Sequence, residues 1–371
     1  MKLIEIIKNI EAWAPKEIAW QKDNVGLQVG DSDKPVNNIL LCLEVDDKVV
    51  DEALRKKCNF IISHHPLLFS PIKKITPALD KTSRLIQKLI KNDITLYSAH
   101  TNLDYTRDGV SFRLANKLEL QNISFLVNLK SNQYKVAVFV PIEDSDTVTV
   151  AMFKAGAGNI GEYSHCSFGN VGIATFMGSG NSKPHVGKRE RLESVPEIKI
   201  EMLVNRWNLN SVLAAIKKVH PYEEPAFDIY PLDNLNVDYG IGAIGEFEKS
   251  FNPEEFLNHI SGKLNVKSFR FTKGSKNKIK KVAVCGGSGS EYLKNAIALK
   301  CDAFITADIK YHTFQQAEGD ILLIDAGHYE TEIFSLNEIK KRIAVSLDKN
   351  SDNKVFLYSG STNPVIFYNN K

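Results

Sequence analysis

The sequence predicts an α/β protein in which two pseudo-symmetric α/β halves form one discontinuous domain, with a second, α+β domain inserted between them. Three observations predict this. A strand–helix–strand pattern at residues 37–63 returns in the same order at residues 280–308. Aligning Cys58 with Cys301 pairs "ALRKKCNFIISHH" with "AIALKCDAFITAD" and sets Asp308 where His65 stands. The stretch between the two copies follows a different order of elements.

The N-terminal "MKLIEIIKNIEAW" carries Lys2, Glu5, Lys8 and Glu11 within its apolar pattern, which is an amphipathic helix and not a signal peptide. "NNILLCLEV" is a strand, "DDKVVDEALRKKC" a helix opened by acidic residues, and "NFIIS" the next strand. The second copy runs through the strand "KKVAVCGGSGS", the helix "EYLKNAIALKC" and the strand "DAFITAD". A further pair follows: "NDITLYSAHTNLD" matches "GDILLIDAGHYETE", each closing on a histidine with a carboxylate four residues on.

Between the halves, strands at "YKVAVFVP", "VGIATFMG", "EIKIEMLV" and "PAFDIYPL" alternate with helices at "DTVTVAMFKAG", which Ser145 can cap, and "LNSVLAAIKKV". That β-α-β-β-α-β order is ferredoxin-like. The expected boundaries are 1–128 and 236–371 for the host domain and 129–235 for the insert. A chain of 371 residues, 43% of them apolar and 25% charged, is long enough for two cores. Its net charge of +3 argues for no particular partner. Five cysteines form no CxxC pair, so thiolate metal sites are not expected and a reducing cytoplasm is. No apolar run reaches membrane-spanning length.

The chemistry sits in "NFIISHHPLLFS". Adjacent side chains of a strand point to opposite faces, so His64 and His65 converge only if the strand stops there, and Pro66 favours that stop. His100 and His328 also fall at predicted strand ends, with Asp104 and Glu332 one helical turn beyond. The carboxyl edge of a parallel sheet is where ligands gather. Imidazoles plus two carboxylates exceed what one tetrahedral ion needs and suit two divalent ions sharing a bridging carboxylate. Nitrogen and oxygen donors favour zinc, iron or manganese. Ser63, Asp308 and His312 are candidates for orienting the ligands. "CGGSGS" is either a phosphate cradle or a tight structural turn.

The stretches "DNVGLQVGD", "IISHHPLLF", "SAHTNLD", "ITADIKYH" and "DAGHYETE" resemble the NIF-three-like (NGG-one-interacting-factor-three) family, whose members carry the label GTP cyclohydrolase I type 2 homologue. "AGAGNIGEYSHCSF" and "HPYEEPAFDIYPL" resemble the insert of the long bacterial form, itself similar to PII and CutA-type modules. The resemblance implies a NIF-three-like fold and a di-metal site on His64, His65, Asp104, His328 and Glu332. Under the same resemblance His100 stands behind the ligands or positions substrate. Asp308 is the further candidate for a catalytic role. The resemblance also implies a homohexameric ring, a trimer of dimers, with sites facing an internal cavity.

The sequence departs from the family at Lys22, where many relatives carry Trp; Trp20 lies two residues earlier. "TAD" replaces the more usual Thr-Gly-Asp, so Ala307 must have an ordinary backbone conformation. A metal-dependent hydrolase of a nucleotide or related small molecule is the first functional expectation, with zinc as the first metal. The alternative is a non-enzymatic regulatory or metal-handling ring whose insert senses a ligand or docks a protein partner. Nucleic-acid binding is not expected, since a solvated loop explains the lysines of "VKSFRFTKGSKNKIKK".

Overall fold

On the strand Asn38–Cys42, Ile39, Leu40, Leu41 and Cys42 are all buried. Alternate side chains enter different cores, Ile39 and Leu41 one and Leu40 and Cys42 the other. Such a continuous apolar run belongs to a parallel strand covered on both faces. The computed structural model describes residues 1–347 and 352–368. It divides into two compact units, Met1–Val127 with Tyr239–Lys371, and Asn128–Asp238.

The first unit contains two larger sheets. One has five strands in the order Gly26–Val29, Thr95–Ser98, Cys58–Ser63, Asn38–Cys42 and Val355–Leu357, all parallel except the first. The other has six strands, with Leu322–Asp325, Ala303–Ala307 and Ile279–Ser288 parallel at its centre. Arg270–Thr272 flanks them on one side, and Ala243–Phe251 followed by Gln121–Ser124 on the other, all antiparallel to their neighbours.

Helix starts follow local chemistry. Asp46 accepts the Val49 N–H at 2.8 Å to open Asp47–Arg55, and Asp80 accepts that of Ser83 at 2.9 Å to open Lys81–Lys91. Each such cap contributes about 1 kcal/mol. On the N-terminal helix Leu3–Trp13, the buried Leu3, Ile6, Ile7 and Ile10 lie at helical spacing. They share a core with Leu336, Ile339 and Ile343 of the helix Ser335–Ser346. Phe60, wholly buried in that core, anchors the strand that leads to His64. Truncating such a side chain to Ala costs about 3–5 kcal/mol.

The second unit is one antiparallel sheet in the order Phe227–Pro231, Gln133–Pro141, Leu192–Asn205, Phe168–Met177. Helices Ser145–Lys154 and Leu209–Val219 contribute Val148, Met152, Val212 and Ile216 to its core. Asp144, not Ser145, holds the cap position of the first helix, and the Ser145 hydroxyl donates to Ile142 O instead. Among the described residues, no helix is long and apolar enough to cross a membrane.

Candidate metal centre

The strand Cys58–Ser63 ends, yet its backbone pairing runs on for two residues. The His64 N–H donates to Cys42 O at 3.1 Å and the His65 N–H to Leu43 O at 2.9 Å. The chain then turns at Pro66, and the two rings come to 4.8 Å between centroids at 54°. His100 precedes the one-turn helix Thr101–Asp104, which brings Asp104 round beneath it. His328 opens the helix His328–Glu332, so its ring and the Glu332 carboxylate share a face. Gly327 makes the approach with φ of +92°, where a side chain would also meet Glu330.

Each imidazole is held from behind at Nδ1. His64 faces Ala99 O at 2.8 Å, His65 faces Glu44 at 3.0 Å, His100 faces Asp23 at 2.9 Å and His328 faces Asp308 at 2.7 Å. A carbonyl only accepts, so His64 carries its hydrogen on Nδ1 and leaves Nε2 free to act as a ligand. This arrangement of a carbonyl or carboxylate behind each ring is how proteins orient metal-binding histidines.

The inward atoms crowd together. His328 Nε2 lies 3.1 Å from Glu332 Oε1 and 3.3 Å from His65 Nε2. His65 Nε2 lies 3.2 Å from Glu332 Oε2. His64 Nε2 is 3.7 Å from Glu332 Oε1 and 3.6 Å from Asp104 Oδ1. Two overlapping groups of donor atoms, His64–His65–His100 and His65–His328–Glu332, each fall within 4.8 Å and could hold a metal ion. The buried His64 Nε2, Asp104 Oδ1 and Glu332 Oε2 have no hydrogen-bond partner. Orphaned polar atoms at this depth are costly, and a cation facing all three would satisfy them.

The electrostatics carry the same signature. Burial pushes the Glu332 carboxyl up, but the imidazoles of His64, His328 and His65 gathered around it outweigh burial and hold it well below the usual range. Burial opposes charge on His65, yet Glu332 and Glu44 lift it to about 10. His328 rises to about 9 under Glu332 and Asp308 against the same penalty. Asp104 moves the other way, raised by burial against the pull of His64 and His100. Positive charge is therefore demanded here, and without an ion protons supply it.

The residues expected from strand ends, His64, His65, His100, Asp104, His328 and Glu332, lie together. Asp308 stands behind His328 and not in the donor groups. Its φ of 55° is a left-handed conformation that Asp tolerates, whereas Ala307 before it stays in its strand with an ordinary φ. Ser63 bonds Ser98 and His65 O rather than a ring, and exposed His312 bonds Gln315. The "CGGSGS" turn is structural: the N–H groups of Gly286, Gly287 and Gly289 donate to the hydroxyls of Ser111, Thr331 and Thr306.

Comparison with known proteins decides the lineage. The family model Duf34/NIF3 (NGG1p interacting factor 3) matches residues 1–364. The chain belongs to that family. It is 38% identical over 364 residues to a protein of Halalkalibacterium halodurans named GTP cyclohydrolase 1 type 2 homolog, covering 98% of each chain. A Bacillus subtilis protein of the same name is 36% identical over 365 residues, again at 98% of each. Among solved structures, the Bacillus cereus protein related to NIF3 superposes with a TM-score of 0.86 at 35% identity, over 99% of each chain.

Two features of this Duf34/NIF3 chain escaped sequence reading. Asp23 and Glu44 brace His100 and His65 from 77 and 21 residues away. Asp23 lies in the matching stretch "DNVGLQVGD", and a carboxylate there was the available signal; Glu44 looked like an ordinary strand end. Thr362 in turn bonds Glu44, and Asn363 bonds Glu330 at 2.8 Å, so the C-terminal segment borders a cavity of about 500 Å³ beside His65 and His328.

Proposed function

We propose that this Duf34/NIF3 chain holds two divalent cations, zinc first and iron or manganese as alternatives, and hydrolyses a nucleotide or related small molecule. His64, His65, Asp104, His328 and Glu332 would be the ligands. One observation carries the reading: the two oxygens of Glu332 face different imidazoles, Oε1 towards His64 and His328 and Oε2 towards His65. A carboxylate so placed suits a bridge between two ions, and structural sites rarely gather so many donors. Two adjacent divalent ions, when bound, lower the pKa of a shared water and polarise a substrate oxygen.

The chain's own groups do the rest. Glu44, Asp308 and Ala99 O fix the ring orientations, while Asp23 aims His100 at the neighbouring cavity, where it positions the group under attack. The name of the curated relatives supports nucleotide chemistry, and purine-ring opening is the first reaction to test. The three parallel strands at the centre of each larger sheet support the reading of two pseudo-symmetric halves. We place the protein in the cytoplasm as a homohexamer, which light scattering tests directly.

The decisive experiment is turnover by metal-loaded protein offered GTP, cyclic amides and phosphoesters. Activity of His64→Ala and Glu332→Ala at wild-type level would end the hydrolase reading. A second reading, a regulatory ring with the PII- or CutA-like insert as ligand or partner sensor, draws on a cavity of about 310 Å³ within the insert. His185, Tyr222 and Glu223 line it, and Tyr222 bonds the buried Glu197 at 2.8 Å. Ligand binding there should alter the rate at which the intact protein releases its metal; an unchanged rate counts against this reading.

A further inference from the structure

We propose, resting on the hydrolase reading above, that the cavity beside His100 seats an uncharged planar heterocycle through its N–H donors and excludes nucleoside polyphosphates. The cavity measures about 380 Å³, enough for a bicyclic ring with a sugar. Trp20, Phe69, Tyr105 and Tyr292 line it, and His328, Asp104 and Glu332 open into it from the imidazole cluster. Aromatic walls of this kind take flat rings irrespective of sequence or substituent.

The polar groups choose among flat rings. Among the described residues, the side chains of Glu291, Tyr105 and Tyr292 make no hydrogen bond within the chain, yet all three line the cavity. Apart from Asp104 and Glu332 of the imidazole cluster, the wall therefore offers hydroxyl donors and one carboxylate acceptor, Glu291. A carboxylate is matched by adjacent N–H groups on a ring edge, as in a 2-amino-4-oxo heterocycle.

The same lining rejects phosphate chains. Among the described residues it contains no Lys or Arg; Lys22 Nζ lies 6.0 Å from the Trp20 ring but does not line the cavity. The glycine-rich loop at its edge could have cradled an anion, but Gly286, Gly287 and Gly289 spend their N–H groups on Ser111, Thr331 and Thr306. Cations on the imidazoles would neutralise Asp104 and Glu332 but not the exposed Glu291, which belongs to neither donor group. A triphosphate would lie against that uncompensated carboxylate.

The test is binding to zinc-loaded full-length protein, followed by titration calorimetry and Trp20 fluorescence, with guanosine, inosine and GTP as probes. Guanosine should bind at least about ten-fold tighter than GTP, and more tightly than inosine, which lacks the exocyclic amino donor. Glu291→Gln should weaken guanosine by about ten-fold at unchanged zinc content, and Glu291→Lys should shift preference towards GTP. GTP binding as tightly as guanosine, Glu291→Gln without effect, or no saturable guanosine binding at millimolar concentration each overturns the proposal. Guanosine bound as expected without turnover of any substrate would sink the hydrolase reading and leave the seat standing. Turnover with guanosine affinity indifferent to Glu291 would do the reverse.

Discussion

Gly287 and Glu332 meet at the floor of the imidazole cluster: a Cβ on Gly287 would lie 2.1 Å from Glu332 Oε1 and 3.2 Å from His328 Nε2. No side chain fits there without moving the proposed bridging carboxylate. The glycine also holds φ of +61°, which costs an L-residue about 1–2 kcal/mol. Gly287→Ala should therefore lose most bound metal as well as stability. Gly319→Ala separates the two effects, because Gly319 has φ of +83° with nothing within 4 Å of its would-be Cβ. That control should lower thermal stability alone, and elemental analysis of both variants reads the difference. Equal metal content in the two would show that Gly287 does not shape the site.

The groups behind the rings give a second prediction. Asp308→Asn keeps a residue that tolerates the left-handed backbone but removes the charge 2.7 Å from His328 Nδ1. Glu44→Gln does the same for His65. Each should weaken metal affinity by about 10–100-fold, measured by competition with a chromophoric chelator. His312→Gln, whose ring bonds Gln315 on the surface, should leave affinity as it was. Wild-type affinity in both carboxylate variants would mean that ring orientation is fixed by packing alone.

What could be read in the sequence was the part carried by local order. His64 and His65 stand where a buried run meets proline, and His100 with Asp104 and His328 with Glu332 recur at the ends of matching strands. A period, a strand end and a one-turn spacing are short-range facts. Glu44 and Thr362 were invisible for the opposite reason, and Asp23 stood in a matched stretch but could not be paired: their partners lie 21, 318 and 77 residues away, and nothing local marks the pairing. "CGGSGS" stayed ambiguous because a free N–H and one donated to a hydroxyl share the same sequence. Only the positions of Ser111, Thr331 and Thr306 separate a cradle from a turn.

Metal removal follows from the orphaned atoms. With no cation, His64 Nε2, Asp104 Oδ1 and Glu332 Oε2 have no partner in a buried setting. Chelated protein should melt below the loaded form, and the gap should widen with free metal as RT ln(1 + [L]/Kd), reaching about 2.7 kcal/mol at a hundred times Kd. Calorimetry across a buffered zinc series measures the slope. A melting temperature indifferent to zinc would argue that the native protein carries no ion there.

Glu52 gives the last prediction, on pH. It lies buried on the helix Asp47–Arg55, accepting Lys56 Nζ at 2.7 Å and the Ser359 N–H at 2.9 Å, and so ties the C-terminal segment to the first sheet's helix. Burial alone would raise its pKa, but the hydrogen bonds from Lys56 and Ser359 outweigh burial and lower it. A carboxyl depressed on folding stabilises fully above its unfolded pKa of about 4.3 and loses that contribution as pH falls through the folded value. Glu52→Gln should thus cost about 1–3 kcal/mol at neutral pH. The difference from wild type should shrink as the solution is acidified below about pH 4 and close once the pH is below the folded value, where both chains carry a neutral side chain. Urea midpoints across that range provide the measurement, and a gap that stays constant on acidification would assign the effect of Glu52 to shape and not to charge.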